Sequence, residues 1–283
     1  IVTQYIQDLY RFFKLSPYRK EFEDMFSARP DVHNSEFFRI TCNTPEAESG
    51  LADYFFSKNY FTDALSIFIK QAEKEPGNAQ LYEKIGYCHQ QAGNYEEALR
   101  YYRMAELIDR KVWTVKKMGL CLRRLGHYEE ALDQYQQAGM MEPDNIHTVI
   151  MTAHCYLDLK LYEDALKHYF RAEYNDPGNL MILRPIAYCY FALGRFEESG
   201  KYYERLSTGK LSAHDYINKG HLALCLGNKK DAVEFYKLSM SDEKMTADRF
   251  SAIFLEDQPL LISLGENPHD LPILLDYLLF SIT

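Results

Sequence analysis

The chain has 283 residues, of which 47% are hydrophobic and 26% are charged, a balance typical of folded proteins. Its formal net charge is −9, from 41 acidic and 32 basic residues. An acidic protein repels a phosphate backbone, so this charge disfavours nucleic-acid binding. No stretch approaches the ~18 uncharged apolar residues of a membrane-spanning helix, so we expect no insertion into a membrane.

The first 44 residues differ from the rest of the chain. Residues 1–27 carry aromatic and apolar side chains at helical spacing, and residues 27–45 have the Pro, Asn, Ser and Thr content of a connecting loop. We expect residues 1–44 to form a helical cap and a loop, although Arg29-Pro30-Asp31 also resembles the end of an atypical repeat. The chain opens with Ile1 and no secretion signal, which favours a chain cut from a longer one.

A short phrase recurs between residues 45 and 244. It reads GNYEEAL at 93–99, GHYEEAL at 126–132 and KLYEDAL at 160–166, with looser copies at 59–65, 194–199 and 227–233. Each copy contains a small residue, here called the marker residue, and successive marker residues are 33 or 34 positions apart. The marker residues are Ala64, Ala98, Ala131, Ala165, Ser199 and Ala232. This regular interval indicates an internal structural repeat.

Other positions recur in the same register. A small residue stands earlier in each unit, at Ala52, Gly86, Gly119, Ala153, Ala187 and Gly220. An aromatic residue follows each marker residue by four positions, at Phe68, Tyr102, Tyr135, Tyr169, Tyr203 and Tyr236. These positions resemble those of the tetratricopeptide repeat (TPR) family, whose unit is a helix–turn–helix of about 34 residues. The resemblance implies an all-α fold, a right-handed superhelical solenoid of stacked antiparallel helix pairs with about six TPR units and helical caps at both ends.

We predict that residues 45–244 form the repeats, with limits at 45–78, 79–111, 112–145, 146–179, 180–212 and 213–244. The marker residue allows two helices to approach closely, and the aromatic residue one turn later fills the space between helix pairs. Asp144-Asn145 and Gly178-Asn179 follow closing prolines and are predicted to supply turn or N-cap chemistry for the next helix. Pro185 falls inside a predicted first helix and should kink that helix or delay its start.

Residues 245–283 depart from the repeat pattern. From Ile253 to Thr283 the sequence has five acidic residues and no Lys or Arg. The apolar runs 259–264 and 271–280 are too short to span a membrane. We expect two short helices that cap the last repeat, as solenoids require. The alternative is an apolar surface for a second copy, giving a homodimer, or for another chain.

The sequence offers little support for catalysis or metal binding. Cys88, Cys121, Cys155 and Cys189 share one slot of four successive repeats, where cysteine serves as a small buried apolar residue. Helix spacing of about 10 Å keeps them too far apart for disulfides, and reduced thiols favour the cytoplasm. No metal-ligand spacing, phosphate loop or nucleophile motif occurs. We therefore predict no enzyme, no metal and no cofactor.

In the TPR family, residues of each first helix line a concave groove. The repeat register assigns to it Tyr87, Gln90, Trp113, Lys116, Leu120, Arg123, His147, Ile150, His154, Met181, Arg184, Tyr188 and Phe191. Aromatic and Arg residues are enriched at binding hot spots. We predict a non-catalytic scaffold that binds a protein or peptide with acidic and apolar residues, in an extended or a helical mode.

Two other functions fit the sequence. The missing initiator Met is compatible with a regulatory or substrate-docking region of a larger protein or enzyme. The apolar C-terminal region is compatible with a structural protein that forms oligomers through it.

Overall fold

The computed structural model describes residues 44–207, 209 and 211–280, and these form fourteen helices and no strand. The first five helices are α1 (Pro45–Ser57), α2 (Phe61–Lys74), α3 (Ala79–Gln91), α4 (Tyr95–Ile108) and α5 (Val112–Arg124). The next five are α6 (Tyr128–Met141), α7 (Ile146–Asp158), α8 (Tyr162–Asn175), α9 (Leu180–Ala192) and α10 (Phe196–Leu206). The last four are α11 (Ala213–Cys225), α12 (Lys229–Met240), α13 (Ala247–Ser263) and α14 (Asp270–Phe280). The predicted all-α class is confirmed.

The chain divides into two compact units, Ile1–Leu125 and Gly126–Thr283. Helices α1–α5 belong to the first unit and α6–α14 to the second. Each of the six predicted repeat ranges contains two helices, but the boundary between the units falls inside the range 112–145, between α5 and α6. The N-terminal cap predicted for residues 1–44 lies outside the described residues, except for Thr44.

Side-chain caps fix the starts of α7 and α9, each the first helix of its pair. The Oδ1 atoms of Asn145 and Asn179 accept hydrogen bonds from the backbone N–H groups of Thr148 (3.1 Å) and Met181 (2.9 Å), as the sequence predicted. Such caps satisfy N–H groups that have no partner within the helix and contribute about 1 kcal/mol each. Each cap therefore defines where the chain leaves the preceding loop and begins a new helix pair.

The turn between the two helices of a pair requires a left-handed backbone. Gly93 has φ 80° there, and the N–H of the next residue, Asn94, donates to the carbonyl of His89 at 2.9 Å. Lys160 occupies the same place in its pair with φ 59°, a conformation that costs a non-glycine residue free energy. The turn geometry is therefore common to the repeats although the residue type varies.

The small and aromatic slots meet where the two helices of a pair cross. A Cβ atom on Gly86 would lie 2.9 Å from the ring of Tyr102, and one on Gly220 would lie 2.4 Å from the ring of Tyr236. The six marker residues are fully buried, and the six aromatic residues four positions later are at most 2% exposed. The predicted close crossing of paired helices is therefore present in both units.

The two helices after the last repeat share its core. Phe250 and Phe254 of α13 and Leu271 of α14 are buried in one cluster with Tyr236 of α12. Two helices were predicted here, although α13 begins at Ala247, well before the apolar run used to predict it.

Pro185 does not delay the helix that contains it. Helix α9 begins at Leu180, directly after its N-cap Asn179, and continues through Pro185 to Ala192. The expected late start is therefore wrong, and the Asn179 cap explains why the helix begins before the proline. Among the helices described, none is long and apolar enough to cross a membrane.

Candidate functional site

In the first unit, helices α1, α3 and α5 are each the first helix of a pair, and they bring their aromatic side chains into one row. Phe56 of α1 contacts Tyr87 of α3, with ring centroids 5.5 Å apart, and Tyr87 contacts Trp113 of α5 at 6.4 Å. Tyr102 of α4 supports the indole edge-on at 5.8 Å and donates its hydroxyl hydrogen bond to Gln90 Oε1 at 3.0 Å. Trp113 remains 42% exposed, so the end of the row is open to solvent.

A lysine stands over this row. The Nζ atom of Lys117 lies 5.1 Å from the centroid of the Tyr87 ring and 5.4 Å from that of the Trp113 ring. Both distances fall within the range of a cation–π interaction. Burial of the ammonium lowers the pKa of Lys117, because desolvation disfavours the charged form. We call Tyr87, Trp113 and Lys117 the lysine–aromatic site.

The preceding repeat shows how such a lysine is neutralised. Lys84 stands two residues before Gly86, as Lys117 stands two residues before Gly119. The Lys84 Nζ lies 5.2 Å from the centroid of the Phe68 ring and 2.6 Å from Oδ1 of Asp53.

The position of that carboxylate is occupied by a ring in the next repeat. Asp53 directly follows the small residue Ala52, and Tyr87 directly follows Gly86. Within residues 44–207, 209 and 211–280, no carboxylate forms an ion pair with Lys117. Among the residues that the structure describes, the ammonium of the lysine–aromatic site therefore has no compensating carboxylate.

Polar contacts anchor the helix that carries Trp113 and Lys117. The buried Thr114 donates its hydroxyl hydrogen bond to Glu83 Oε1 at 2.7 Å, and Lys111 Nζ contacts both carboxylate oxygens of Glu83 at 3.2 Å. These bonds tie the start of α5 to α3. Lys111 is therefore paired within the protein, and the start of α5 is held so that Trp113 lies beside Tyr87.

The predicted groove residues of the first unit lie in different environments. Tyr87 and Trp113 were predicted and do lie together. Lys116, Leu120 and Arg123 are partly buried on the same helix, and both basic residues take part in other interactions. Lys117, which the prediction omitted, is the lysine over the two rings. The sequence did contain a signal, because Lys84 occupies the same slot one repeat earlier.

In the second unit, the predicted cation Arg184 is already paired. Its Nε atom donates to both carboxylate oxygens of Asp215 at 2.9 Å, and only 4% of the Asp215 side chain is exposed. Asp215 also accepts hydrogen bonds from the N–H and the hydroxyl of Ser212, at 2.8 Å each. Arg184 therefore joins α9 to the start of α11, which corrects its assignment as a free groove cation.

Burial removes two more residues from the predicted set. Phe191 is 1% exposed and stacks on His221, and Ile150 is 7% exposed. A side chain with so little accessible surface cannot contact a ligand in a groove, so both assignments are wrong. Phe191 instead belongs to the core that α13 and α14 complete.

The remaining predicted residues of the second unit have mixed environments. Nδ1 of His154 lies 2.5 Å from the hydroxyl of Tyr169, and Tyr188 packs edge-on against Tyr162 at 6.3 Å. Burial is the main cause of the raised pKa of Tyr188. His147 and Met181 are the exposed members of the predicted set in this unit. The structure thus gathers no site comparable to the lysine–aromatic site from them.

The described residues give no sign of a metal centre. They contain no group of three or more His, Cys, Asp or Glu side chains that could hold a metal ion. The cysteines Cys88, Cys121, Cys155 and Cys189 are buried and form no disulfide with one another.

The stacked helix pairs with their small and aromatic slots define the class of protein. Two tetratricopeptide-repeat family models match residues 49–111 and 186–207. A third model, described as anaphase-promoting complex, cyclosome, subunit 3, matches residues 112–172. The chain is therefore a tetratricopeptide-repeat protein.

Solved structures share this fold at low sequence identity. A tetratricopeptide repeat protein from Parabacteroides merdae is 18% identical with a TM-score of 0.65, covering 83% of this chain and 98% of its own. PilF of Pseudomonas aeruginosa is 17% identical with a TM-score of 0.58, over 75% and 96%. PilW, a type IV pilus biogenesis factor, is 15% identical with a TM-score of 0.61, over 74% and 97%. No curated protein matches the chain in sequence.

Proposed function

We propose that this protein is a non-catalytic scaffold that binds a segment of another protein at the lysine–aromatic site. The segment carries a carboxylate for Lys117 and an apolar side chain for Trp113. The fold supports the general function, since helical repeat arrays present long surfaces suited to protein binding. The choice of site rests on the arrangement of Tyr87, Trp113 and Lys117.

The observation that carries the proposal is that Lys117 has no carboxylate partner in the part of the chain that the structure describes. In the preceding repeat, Asp53 neutralises Lys84 at 2.6 Å, and the ring of Tyr87 stands in the equivalent place. A partner carboxylate would supply the missing anion. Because Lys117 is already partly desolvated, it gives up less hydration on binding than an exposed lysine would.

Trp113 supplies the apolar part of the site. A partly exposed tryptophan held by neighbouring rings is a typical hot-spot residue, because it offers a large surface and little flexibility. An apolar residue next to the acidic one in the bound segment would cover the indole. The site therefore recognises a combination of charge and apolar surface, which distinguishes its ligand from a merely acidic peptide.

The proposal can be tested with random 12-residue peptides displayed on phage and selected on the full chain. We expect enrichment of peptides with an Asp or Glu near an aromatic or aliphatic residue. The best peptide is then synthesised with a fluorophore and titrated by fluorescence anisotropy. Replacing Lys117 with Met should weaken binding about tenfold or more, since a charge-assisted contact contributes about 1.5–3 kcal/mol.

Arg124 provides a matched control on the same helix. It is exposed, and Arg124→Met removes the same charge as Lys117→Met without touching the lysine–aromatic site. Circular dichroism establishes that both variants are folded. Enriched peptides that lack acidic residues, or equal weakening by the two substitutions, would reject the proposal.

A further inference from the structure

Helix α14 is apolar on two opposite faces. Leu271, Leu275 and Leu278 are buried in the core of the second unit. Ile273, Tyr277 and Phe280 are 68%, 53% and 83% exposed. At about 100° per residue, these three lie within an arc of roughly 60° on the side away from the buried leucines. A helix that is apolar all round is normally covered on all sides, so this exposed face, here called the α14 stripe, is suited to binding another element.

The repeat architecture shows what normally covers such a face. In α12 the fourth, eighth and eleventh residues are Ala232, Tyr236 and Ser239, and all three are fully buried. The fourth, eighth and eleventh residues of α14 form the α14 stripe. Helix α14 therefore packs on the core through the side that carries Leu271, Leu275 and Leu278, opposite to the side that α12 buries. The face that lies against a helix in the repeats is solvent-exposed in α14, with a tyrosine in the same slot.

A cavity beside the stripe offers room for a side chain. It has a volume of about 310 Å³ and is lined by four apolar residues of α14, by Leu224 of α11, and by the charged residues Lys229, Glu266 and Asp270. The lining includes Leu224, Leu274 and two residues of the α14 stripe, Ile273 and Tyr277. One leucine or phenylalanine of a bound helix would fit such a space. The stripe and the cavity together have the shape and apolar character of a groove that an amphipathic helix can occupy.

The charged residues of helix α14 are both acidic, Asp270 and Asp276. Residues 253–280 contain five acidic residues and no Lys or Arg. Lys229 contacts Asp270 at 3.5 Å, and the Nζ of Lys237 lies 5.6 Å from the Tyr277 ring centroid. These two lysines are thus already engaged. Asp276, on the other flank of the stripe, has no basic partner among the described residues.

We infer that the α14 stripe binds an amphipathic helix of a partner protein, with Lys or Arg flanking its apolar face. The apolar residues of that helix cover Ile273, Tyr277 and Phe280, and its basic flank pairs with Asp276. A second copy of this chain fits less well, because the charged residues of α14 itself are Asp270 and Asp276, and the two nearby lysines already contact Asp270 and the Tyr277 ring. The exposed stripe covers roughly 400 Å², about half of what each partner buries in a stable dimer.

The inference can be tested with a displayed library of helical peptides. The library keeps Leu at positions i, i+4 and i+7 and randomises the flanking positions among Lys, Arg, Glu and Gln. The library is selected on the full chain, and the selected peptides are also tested on the Ile273→Lys variant, in which a charge disrupts the α14 stripe. Leu107→Lys is the matched control, because Leu107 is an exposed apolar residue of the other unit. Light scattering at two protein concentrations reports on self-association.

We expect selection on the wild-type protein and on Leu107→Lys to enrich helical peptides with Lys or Arg at the flanking positions. The same peptides should bind Ile273→Lys at least tenfold more weakly. Enrichment of acidic or neutral flanks would overturn the inference, and so would the absence of any selected helix. A dimer that Ile273→Lys dissolves would assign the stripe to a second copy instead. None of these outcomes depends on the lysine–aromatic site, since selection there is tested separately with Lys117→Met.

Discussion

Replacing Gly220 with Ala should destabilise the protein, although alanine is the better helix former. Gly220 lies inside α11 where this helix crosses α12. An added Cβ would lie 2.4, 2.6 and 2.9 Å from three ring atoms of Tyr236. The ring cannot move away freely, since its hydroxyl bonds to His221 Nδ1 at 2.8 Å and Phe250 and Phe254 contact it on other sides. The two helices must therefore separate to accept the methyl group.

The expected magnitude is the balance of two opposing effects. Overpacking of this kind costs about 1–3 kcal/mol, whereas Ala in place of Gly in a helix gains about 1 kcal/mol. Because the added Cβ would lie as close as 2.4 Å to the ring, the overpacking cost should fall in the upper part of that range, about 2–3 kcal/mol. We therefore expect a net loss of about 1–2 kcal/mol in the free energy of unfolding. Gly200, inside α10, is the matched control, because its added Cβ would meet Leu222 at 3.9 Å, an ordinary contact. Gly200→Ala should therefore stabilise the protein by up to about 1 kcal/mol.

Urea unfolding followed by circular dichroism measures both changes under the same conditions. With a slope of about 2 kcal/mol per molar urea, Gly220→Ala should lower the midpoint by about 0.5–1 M, and Gly200→Ala should raise it. If Gly220→Ala unfolds at or above the wild-type midpoint, the close crossing at Tyr236 is not the reason for glycine at this position.

Three further predictions concern charged and titratable groups. Arg184→Met should lower the free energy of unfolding by about 1–3 kcal/mol, because Asp215 loses a charged partner while buried; unchanged urea unfolding would contradict this. Because burial lowers the pKa of Lys117, binding of the selected acidic peptide should be lost on raising the pH earlier than an exposed lysine would allow. Anisotropy titrations at increasing pH measure this, and loss only at the ordinary lysine pKa would speak against it. Burial raises the pKa of Cys88 and Cys189 to about 12, so a disulfide reagent at pH 8 should modify them far faster in denaturant than in the native protein; similar rates would refute their burial.

The helix pairs were predictable because their signals are local or periodic. The marker residues recur every 33 or 34 positions, and the fold places every one of them in the core. Asn145 and Asn179 were predictable as caps because capping depends on residues two or three positions away. The division into two units was not, because the marker phrase continues unchanged across residues 126–132.

The candidate site was less predictable, because burial and pairing depend on distant residues. The repeat register assigned Arg184 to the groove face of the first helix of its pair. Its partner Asp215 lies 31 residues later, so the register alone could not show that Arg184 is paired. Phe191 was assigned to a groove because the core that covers it includes residues of α13 and α14, which lie outside the repeat pattern. The importance of Lys117 emerges from a comparison with Lys84 and Asp53, which requires the side-chain contacts as well as the register.

Trp113 allows the central claim to be tested directly, because it is the single tryptophan of the chain. The measurement is the tryptophan emission of the full protein during titration with a selected peptide that itself lacks tryptophan. If the peptide binds at Lys117 and covers the indole, the emission maximum should shift to shorter wavelength in step with the anisotropy change. Saturating binding with an unaltered Trp113 spectrum would place the ligand elsewhere and contradict the assigned site.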